Sequence, residues 1–156
     1  MNIVSIECSF SKSLYNKLIA ISFLKKIEII YLPDLLRKEI NRDSSLGLSI
    51  KEKLSQGELV KDEDVNKLII NKMKNISSDV IIMGYPITIN QTELFIGSIE
   101  KLRVKSKLKH ISIKEGKNKK DINDIIKIKR AFNRKGQFIE ISNFDELELI
   151  LGNNIK

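Results

Sequence analysis

The sequence is poor in the residues that build metal centres, disulfides and nucleophilic catalytic sites. It has one cysteine, Cys8, and one histidine, His110, among 156 residues. An internal disulfide and a multi-cysteine zinc site are therefore excluded. Tryptophan is absent and aromatic residues make up 6% of the chain, so the sequence does not indicate an aromatic surface on which bases stack. No apolar run approaches the roughly 18 residues of a membrane span. The N-terminal MNIVSIE indicates a strand rather than a leader, and a cytoplasmic location is expected.

The positive charge is concentrated in one segment. The chain carries a net charge of +8, but residues 101–135 hold 14 basic and three acidic residues, a net charge of +11. Local asymmetry of this kind favours a polyanionic partner. The alternative is a solvated lysine-rich surface, and the sequence does not decide between the two. The polyanion-binding residues predicted from this segment are Lys105, Lys107, Lys109, Lys117, Lys119 and Lys120.

Apolar, β-branched runs alternate with helical patterns along the chain. The runs that predict strands are 2–6, 27–32, 77–84, 108–115 and 137–141. The patterns that predict helices are 11–26, 35–43, 48–57, 62–75, 90–102, 121–135 and 144–151. Asp34 is the predicted N-cap of the second helix, and Gly57 and Gly136 are predicted helix stops. The alternation predicts a single three-layer α/β domain over residues 1–156, with about five mainly parallel strands and helices on both faces.

Four short motifs between residues 32 and 95 resemble motifs of the adenylate kinase family in order and spacing. The family motifs are TGDMLR, SxLG, GxLVxDExV and LDGFPRTxxQ, and their counterparts are 33–37, 45–47, 57–65 and 83–91. Residues 130–151 also resemble the family's closing helix, strand and helix. The resemblance covers most of the chain. It implies a P-loop nucleoside monophosphate kinase-like fold, with an AMP-site-like helical part at about residues 33–75.

The resemblance places a phosphate-binding loop at residues 7–13, where the family has GxPGxGKGT and this chain has ECSFSKS. Lys12 and Ser13 match the family's lysine and hydroxyl positions. The stretch contains no glycine, and glycines let a backbone approach phosphate closely. Glu7 adds a negative charge at the entrance. We interpret the stretch as a degenerate phosphate loop. An ordinary strand-to-helix turn and a weak anion site at the helix N-terminus stay open as alternatives.

The residues that the resemblance assigns to the AMP side match the family more closely than the phosphate loop does. Arg37 matches the arginine that contacts the AMP phosphate, and Val60 matches the backbone contact near adenine. Gly84 and Gln91 match residues beside the base. The residual nucleotide-binding residues predicted in this way are Lys12, Ser13, Arg37, Val60, Gly84 and Gln91.

Three parts of the family's catalytic machinery are changed. The loop glycines are missing. Met83 stands where the family has an aspartate that helps to organise magnesium, and Ile87 stands where it has an arginine that bridges the substrates. The predicted connection at 116–120, GKNKK, is too short for the family's arginine-bearing lid, which is therefore expected to be absent. Phosphoryl transfer needs charge neutralisation and exclusion of water, so these changes predict a pseudoenzyme.

The resulting hypothesis is a catalytically inactive adenylate kinase-like protein that serves as a binding or structural subunit. Its expected partner is RNA in an assembly such as a ribosome, bound through residues 101–135. A protein partner stays open, and a membrane partner is not expected. The alternative is a reduced AMP- or ATP-binding protein or a minimal nucleoside monophosphate kinase. No metal or cofactor is expected beyond a retained adenine nucleotide. His110 is predicted to be a surface or edge residue and Cys8 to be packed and inert, so no hydrolase triad is indicated.

Overall fold

The computed structural model describes residues 1–7, 12–102, 106–113 and 119–154, in which seven helices and five strands alternate. The strands are β1 (Asn2–Glu7), β2 (Glu28–Tyr31), β3 (Val80–Met83), β4 (Lys107–Ile113) and β5 (Gln137–Ile141). The helices are α1 (Lys12–Lys25), α2 (Leu32–Ile40), α3 (Ser45–Ser55), α4 (Asp62–Met73), α5 (Ile89–Lys101), α6 (Lys119–Lys135) and α7 (Phe144–Asn154). Every predicted strand and helix is present.

The five strands form one sheet in the order β2-β3-β1-β4-β5, and every neighbouring pair is parallel. The predicted α/β class and parallel sheet are therefore confirmed. β3 is buried along its whole length, as expected for an apolar strand that is covered on both faces. β2 and β5 are the two edges of the sheet.

Two apolar clusters fill the space on either side of the sheet. On one face, α4, α5 and α6 contribute buried side chains such as Ile69, Phe95 and Phe132. On the other face, α1 and α7 contribute side chains such as Leu18 and Leu147. Side chains of successive strand residues point to opposite faces, so the sheet feeds both clusters and forms the middle of the three layers.

The start of α2 corrects one sequence prediction. Asp34 was predicted as the N-cap, but α2 begins at Leu32 directly after β2, with Tyr31 as its N-cap. Pro33 permits this early start because proline is tolerated in the first turn of a helix. Asp34 therefore lies inside the first turn. The prediction of a helix stop at Gly57 is confirmed, since this residue follows α3 with φ of +72°, a conformation that favours glycine.

The position of His110 corrects a second prediction. The lysines around it in the sequence suggested an exposed or edge residue, but its relative exposure is 0%. β4 is an interior strand between β1 and β5, and His110 lies beneath α6, with its ring stacked on Phe132 at a centroid distance of 4.5 Å. Its Nδ1 is 2.8 Å from the Ser5 hydroxyl. The prediction of surface exposure was therefore wrong.

Candidate functional site

The candidate site lies at the carboxyl ends of β1 and β3. These neighbouring strands send their crossover connections in opposite directions, which is where open parallel sheets bind ligands. The Gly84 N–H donates to the Ile6 carbonyl over 3.1 Å, and Gly84 has φ of +79°. This φ favours glycine, so the turn after β3 depends on the residue type that the resemblance identifies.

The predicted phosphate loop is only partly within the described residues. Residues 8–11, including Cys8, lie outside them. Lys12 is the first residue of α1 and is exposed, and Ser13 follows it in the helix. Both therefore sit at the helix N-terminus that follows β1, the position where a phosphate-binding lysine and hydroxyl are needed. The side chain of Ser13 lies outside the described part of the structure.

The end of β3 and the turn after it hold the two residues that the resemblance aligns with an acid and an arginine. Met83 has a relative exposure of 1% and belongs to the apolar cluster beneath α1 and α7. It lies beside Ile6 and Tyr31 in the sheet register. Ile87 is 49% exposed. An apolar thioether in the core and an exposed aliphatic side chain supply neither a magnesium-organising carboxylate nor a phosphate-binding cation.

Gln91 is part of a polar clip that joins the beginnings of α4 and α5. Its Oε1 accepts the Ile87 N–H at 3.0 Å, and its Nε2 donates to Asp62 Oδ1 at 2.7 Å. The Asn90 amide donates to the other Asp62 oxygen at 2.6 Å. Both polar atoms of the Gln91 side chain are therefore engaged within the protein. A base that used Gln91 would have to compete with Asp62.

A buried tyrosine supports this clip from below. The Tyr85 hydroxyl donates to Asn66 Oδ1 over 3.0 Å, and the ring packs edge-on against Phe95. Burial, with smaller contributions from the charges of Asp62 and Glu63, raises the pKa of Tyr85 above its usual value. Tyr85 is therefore a neutral hydrogen-bond donor that fixes the turn.

Arg37 and Val60 make none of the hydrogen bonds of this clip. The Arg37 side chain is 69% exposed, and its Nη2 is 2.6 Å from Asp34 Oδ1. An exposed i, i+3 pair of this kind is weak, so Arg37 is available to an anionic ligand. Val60 is half-buried and packs against the cluster beneath α4 to α6.

A cavity at the edge of the sheet contains none of the six residues that the resemblance assigns to the nucleotide site. It has a volume of about 520 Å³ and lies beside the edge strand β2, between α2 and α4. Its lining includes Tyr15, Tyr31, Lys38, Arg42 and Asn71. Most of its lining residues belong to the helical part at about residues 33–75 that the resemblance assigns to the AMP side.

Four of the six predicted polyanion-binding lysines lie on described strands and helices, two at each end of β4. Lys107 and Lys109 lie at the amino end of β4, whereas Lys119 and Lys120 begin α6, beyond its carboxyl end. A seven-residue strand is about 20 Å long. Lys105 and Lys117 lie outside the described residues.

A basic surface lies on α6, within the predicted segment 101–135 but formed by residues that were not among the six predicted lysines. Lys127, Arg130 and Arg134 are exposed and share one helical stripe, because their spacing is i, i+3, i+7. Lys127 is 3.7 Å from Asp124, while the Arg134 Nε donates to the Arg130 carbonyl. The helical spacing is the signal that would have identified this stripe.

The contacts of His110 resemble part of a hydrolase triad but cannot work as one. Its Nδ1 contacts Ser5, and its Nε2 is 3.6 Å from Glu7 Oε2. Ser5 has a relative exposure of 0%, so its hydroxyl cannot reach a substrate. The arrangement stabilises the contact of β1 with β4 instead.

The described residues form neither a cluster of metal ligands nor a membrane-spanning helix. Residues 1–7, 12–102, 106–113 and 119–154 contain no group of three or more His, Cys, Asp or Glu side chains that could hold a metal ion. Within the same described ranges, no helix is long and apolar enough to cross a membrane.

Comparison with known proteins finds similarity to adenylate kinases of several organisms. The chain is 40% identical over 72 residues to the adenylate kinase of Thermococcus kodakarensis, covering 45% of this chain and 32% of that protein. It is 35% identical over 82 residues to the adenylate kinase of Prochlorococcus marinus strain NATL2A, covering 51% and 45%. It is 34% identical over 103 residues to that of Mycoplasma mycoides subsp. mycoides, covering 65% and 44%.

These matches span less than half the length of the relatives. No protein-family model matches the chain. The matches agree with the resemblance found in the sequence motifs, and the five-stranded parallel sheet agrees with the fold that this resemblance implies. The chain is therefore adenylate kinase-like in sequence, with a fold of the P-loop nucleoside monophosphate kinase type.

Proposed function

We propose that this chain is a catalytically inactive adenylate kinase-like protein that acts as a binding subunit. The observation that carries the proposal is the burial of Met83, which is 1% exposed within an apolar cluster. By resemblance, this is the position of the acid that organises magnesium. The methionine side chain has no carboxylate to organise magnesium. Its apolar surroundings also lack the polar groups that a magnesium-bound phosphate needs.

Two features of the sequence support the same conclusion. The stretch that precedes α1 contains no glycine, so it lacks the residues that allow close backbone contact with phosphate. Only five residues separate the end of β4 at Ile113 from the start of α6 at Lys119. A connection of that length is too short for a lid that excludes water and carries arginines.

The proposal predicts no phosphoryl transfer between ATP and AMP. We expect a rate below about 10⁻³ s⁻¹, against about 1–10³ s⁻¹ for typical enzymes. ADP formation is measured by chromatography with magnesium present, using the wild-type chain and Lys12→Ala prepared identically. Equal traces in both preparations indicate a contaminant. A rate that is clearly higher in the wild-type chain than in Lys12→Ala would contradict the proposal.

The alternative is a reduced nucleotide-binding protein or a minimal nucleoside monophosphate kinase. The observation in its favour is the similarity to adenylate kinases over residues that include the AMP side. It requires saturable AMP binding that weakens when Arg37 is replaced, because Arg37 is the exposed cation at the position of the phosphate contact. Binding without turnover would make the chain a nucleotide-binding protein, whereas turnover dependent on Lys12 would make it a kinase.

For the partner, we propose cytoplasmic RNA or a ribonucleoprotein, contacted through the basic surface of α6. Helix α6 contains seven basic and two acidic residues. The stripe of Lys127, Arg130 and Arg134 faces outward. Arginine and lysine contacts to phosphates give affinity that does not depend on base sequence.

The partner is tested by sedimentation of a native extract with and without RNase. We expect the chain to move with a large particle and to fall to the size of a small protein after RNase treatment. The double variant Arg130→Glu/Arg134→Glu should lose at least about 90% of the particle-bound fraction, because each lost phosphate contact weakens binding. Lys51→Glu/Lys67→Glu, an equal charge change at two exposed sites outside α6, is the matched control. A small, RNase-independent size for the wild-type chain would exclude RNA as the partner.

A further inference from the structure

Helix α1 has apolar side chains on both of its faces. Leu14 and Leu18 are buried against the sheet, but Phe23 is 85%, Leu24 81% and Ile19 43% exposed. A helix face that carries large apolar side chains is normally covered by another part of the protein or by a partner. Three large exposed side chains on one short helix therefore indicate a surface that another molecule covers.

The neighbouring helix α7 extends this apolar surface. Lys17 of α1 is 3.6 Å from Asp145 of α7, and Lys25 Nζ donates to the Leu151 carbonyl over 3.3 Å. These contacts place α1 and α7 side by side and parallel on the same face of the sheet. Leu149 of α7 is 67% exposed. The two helices together form an outer layer with four exposed apolar side chains, which we call the α1/α7 surface.

The two halves of the α1/α7 surface carry opposite charge. Helix α1 contains three lysines and no acidic residue. Helix α7 contains three acidic residues and no basic residue. The basic helix of one such surface can therefore lie against the acidic helix of a second, identical surface, while the apolar side chains of both are buried.

We propose that the α1/α7 surface packs against the α1/α7 surface of a second copy of the chain. The protein is then a twofold-symmetric dimer. With the twofold axis parallel to the helices, α1 of each copy lies opposite α7 of the other. Every contact then occurs twice, as in an isologous interface. The basic helix of each copy meets the acidic helix of its partner, and Phe23, Leu24 and Leu149 are removed from water. The dimer leaves the outer face of α6 open and does not depend on the proposed function.

Charge distinguishes this arrangement from the other ways to cover the surface. A twofold axis perpendicular to the helices would place α1 against α1 and bring like charges together. An anionic membrane would attract α1 but repel the acids of α7. Only the pairing of α1 with α7 satisfies both helices.

The first test measures mass in solution by light scattering over a range of concentrations. We expect twice the chain mass of 17.9 kDa for the wild-type protein. Phe23→Glu should raise the dissociation constant of the dimer at least about 100-fold, because each dimer carries the change twice. The matched control is Leu59→Glu at a residue that is 91% exposed before α4, and it should remain dimeric. A wild-type protein that is monomeric at every concentration would overturn the proposal.

The second test uses charge reversal and distinguishes the two axes. Lys17→Glu makes α1 less basic, and Asp145→Lys makes α7 less acidic. Each variant alone should dimerise at least about tenfold more weakly, because each brings like charges together at both contacts between the copies. Each also loses the Lys17–Asp145 pair within its own chain, and because the mixture does not restore that pair, a gain in affinity reports only the contacts between the copies. An equimolar mixture should form a heterodimer with restored affinity, since α1 of one variant then meets α7 of the other with opposite charge. The same apparent mass for the mixture as for the separate variants would overturn the α1-to-α7 pairing.

Flotation with vesicles of phosphatidylserine and phosphatidylcholine tests the membrane. We expect the wild-type chain to remain unbound while it is dimeric. Flotation that is lost in Phe23→Glu would show that the surface binds lipid, and this result would overturn the dimer.

Discussion

Replacement of Met83 by aspartate is expected to destabilise the protein by about 3–5 kcal/mol at neutral pH, although it restores the residue type that the resemblance places there. The Met83 side chain is 1% exposed and lies in an apolar cluster. A carboxylate in this position would lose its hydration without gaining a positive partner, and an uncompensated buried charge costs about this much. The free energy of unfolding is measured by urea denaturation.

The same variant has a defined pH dependence. Burial would raise the pKa of the new carboxyl above its ordinary value of about 3.9. When the pKa of a carboxyl is higher in the folded state than in the unfolded state, the unfolded chain releases the proton first as pH rises. The free energy of unfolding therefore falls with rising pH between the two pKa values. The penalty should therefore be smallest near pH 4 and should grow by up to about 1.4 kcal/mol per pH unit until the folded carboxyl ionises.

Two controls separate this effect from disturbance of the turn. Met83→Leu keeps the volume and apolar character of the side chain and should cost less than about 1.5 kcal/mol. Ile87→Arg, at a residue that is 49% exposed, should change stability by less than about 0.5 kcal/mol. If Met83→Asp were as stable as Met83→Leu, the position would be polar enough for a magnesium-organising acid. The main argument for an inactive site would then fail.

Replacement of Gly136 by alanine is expected to cost about 3 kcal/mol. Gly136 ends α6 and leads into β5, and a Cβ at this position would overlap with the carbonyl oxygen of Leu108 in β4. The obstacle is backbone of a central strand, which cannot rotate away as a side chain can. Relief requires α6 and β5 to move away from β4, and overpacking of this kind costs about 1–3 kcal/mol or more.

Gly97 provides a matched control within the same chain. A Cβ at Gly97 in α5 would meet no atom within 4 Å. Gly97→Ala should therefore stabilise the protein by about 0.5–1 kcal/mol, since alanine has the higher helix propensity. Thermal unfolding of both variants gives the comparison. Equal stability of the two variants would show that β5 is not held as close to β4 as the structure indicates.

The architecture could be predicted from the sequence because each element has a strong local signal. Runs such as VIIM in 80–83 and the acid-first, lysine-last pattern of α4 need no knowledge of their neighbours. The parallel arrangement followed from the alternation of strands with helices, because parallel strands need crossovers. The start of α2 was missed because Pro33 allows a helix to begin directly after a strand, and Asp34 looked like a better cap than it is.

The surroundings of His110 could not be predicted because burial depends on strand order. β4 pairs with β1 and β5, and this placement brings Phe132 of α6 over the histidine. The lysine-rich sequence around residue 110 does not predict these contacts, because they connect residues far apart in the chain.

The candidate site was predictable only in part. The motif that contains Gly84 and Gln91 indicated a turn at the end of β3, and the structure places it there. The clip of Asp62, Asn90 and Gln91 was missed because it joins side chains 28 and 29 residues apart. Long-range hydrogen bonds between exposed and half-buried polar side chains leave no periodic pattern in the sequence.

The order of the strands in the sheet has a consequence for folding during synthesis. β1 is synthesised before β3 and β4, its two partners in the sheet, and Ser5 contacts a residue 105 positions later. At about 5–20 residues per second, this apolar strand must wait about 5–20 s for its last neighbour. During synthesis it is an unpaired, aggregation-prone segment of the nascent chain. A chaperone that covers β1 until β4 has been made should therefore increase the yield of folded protein.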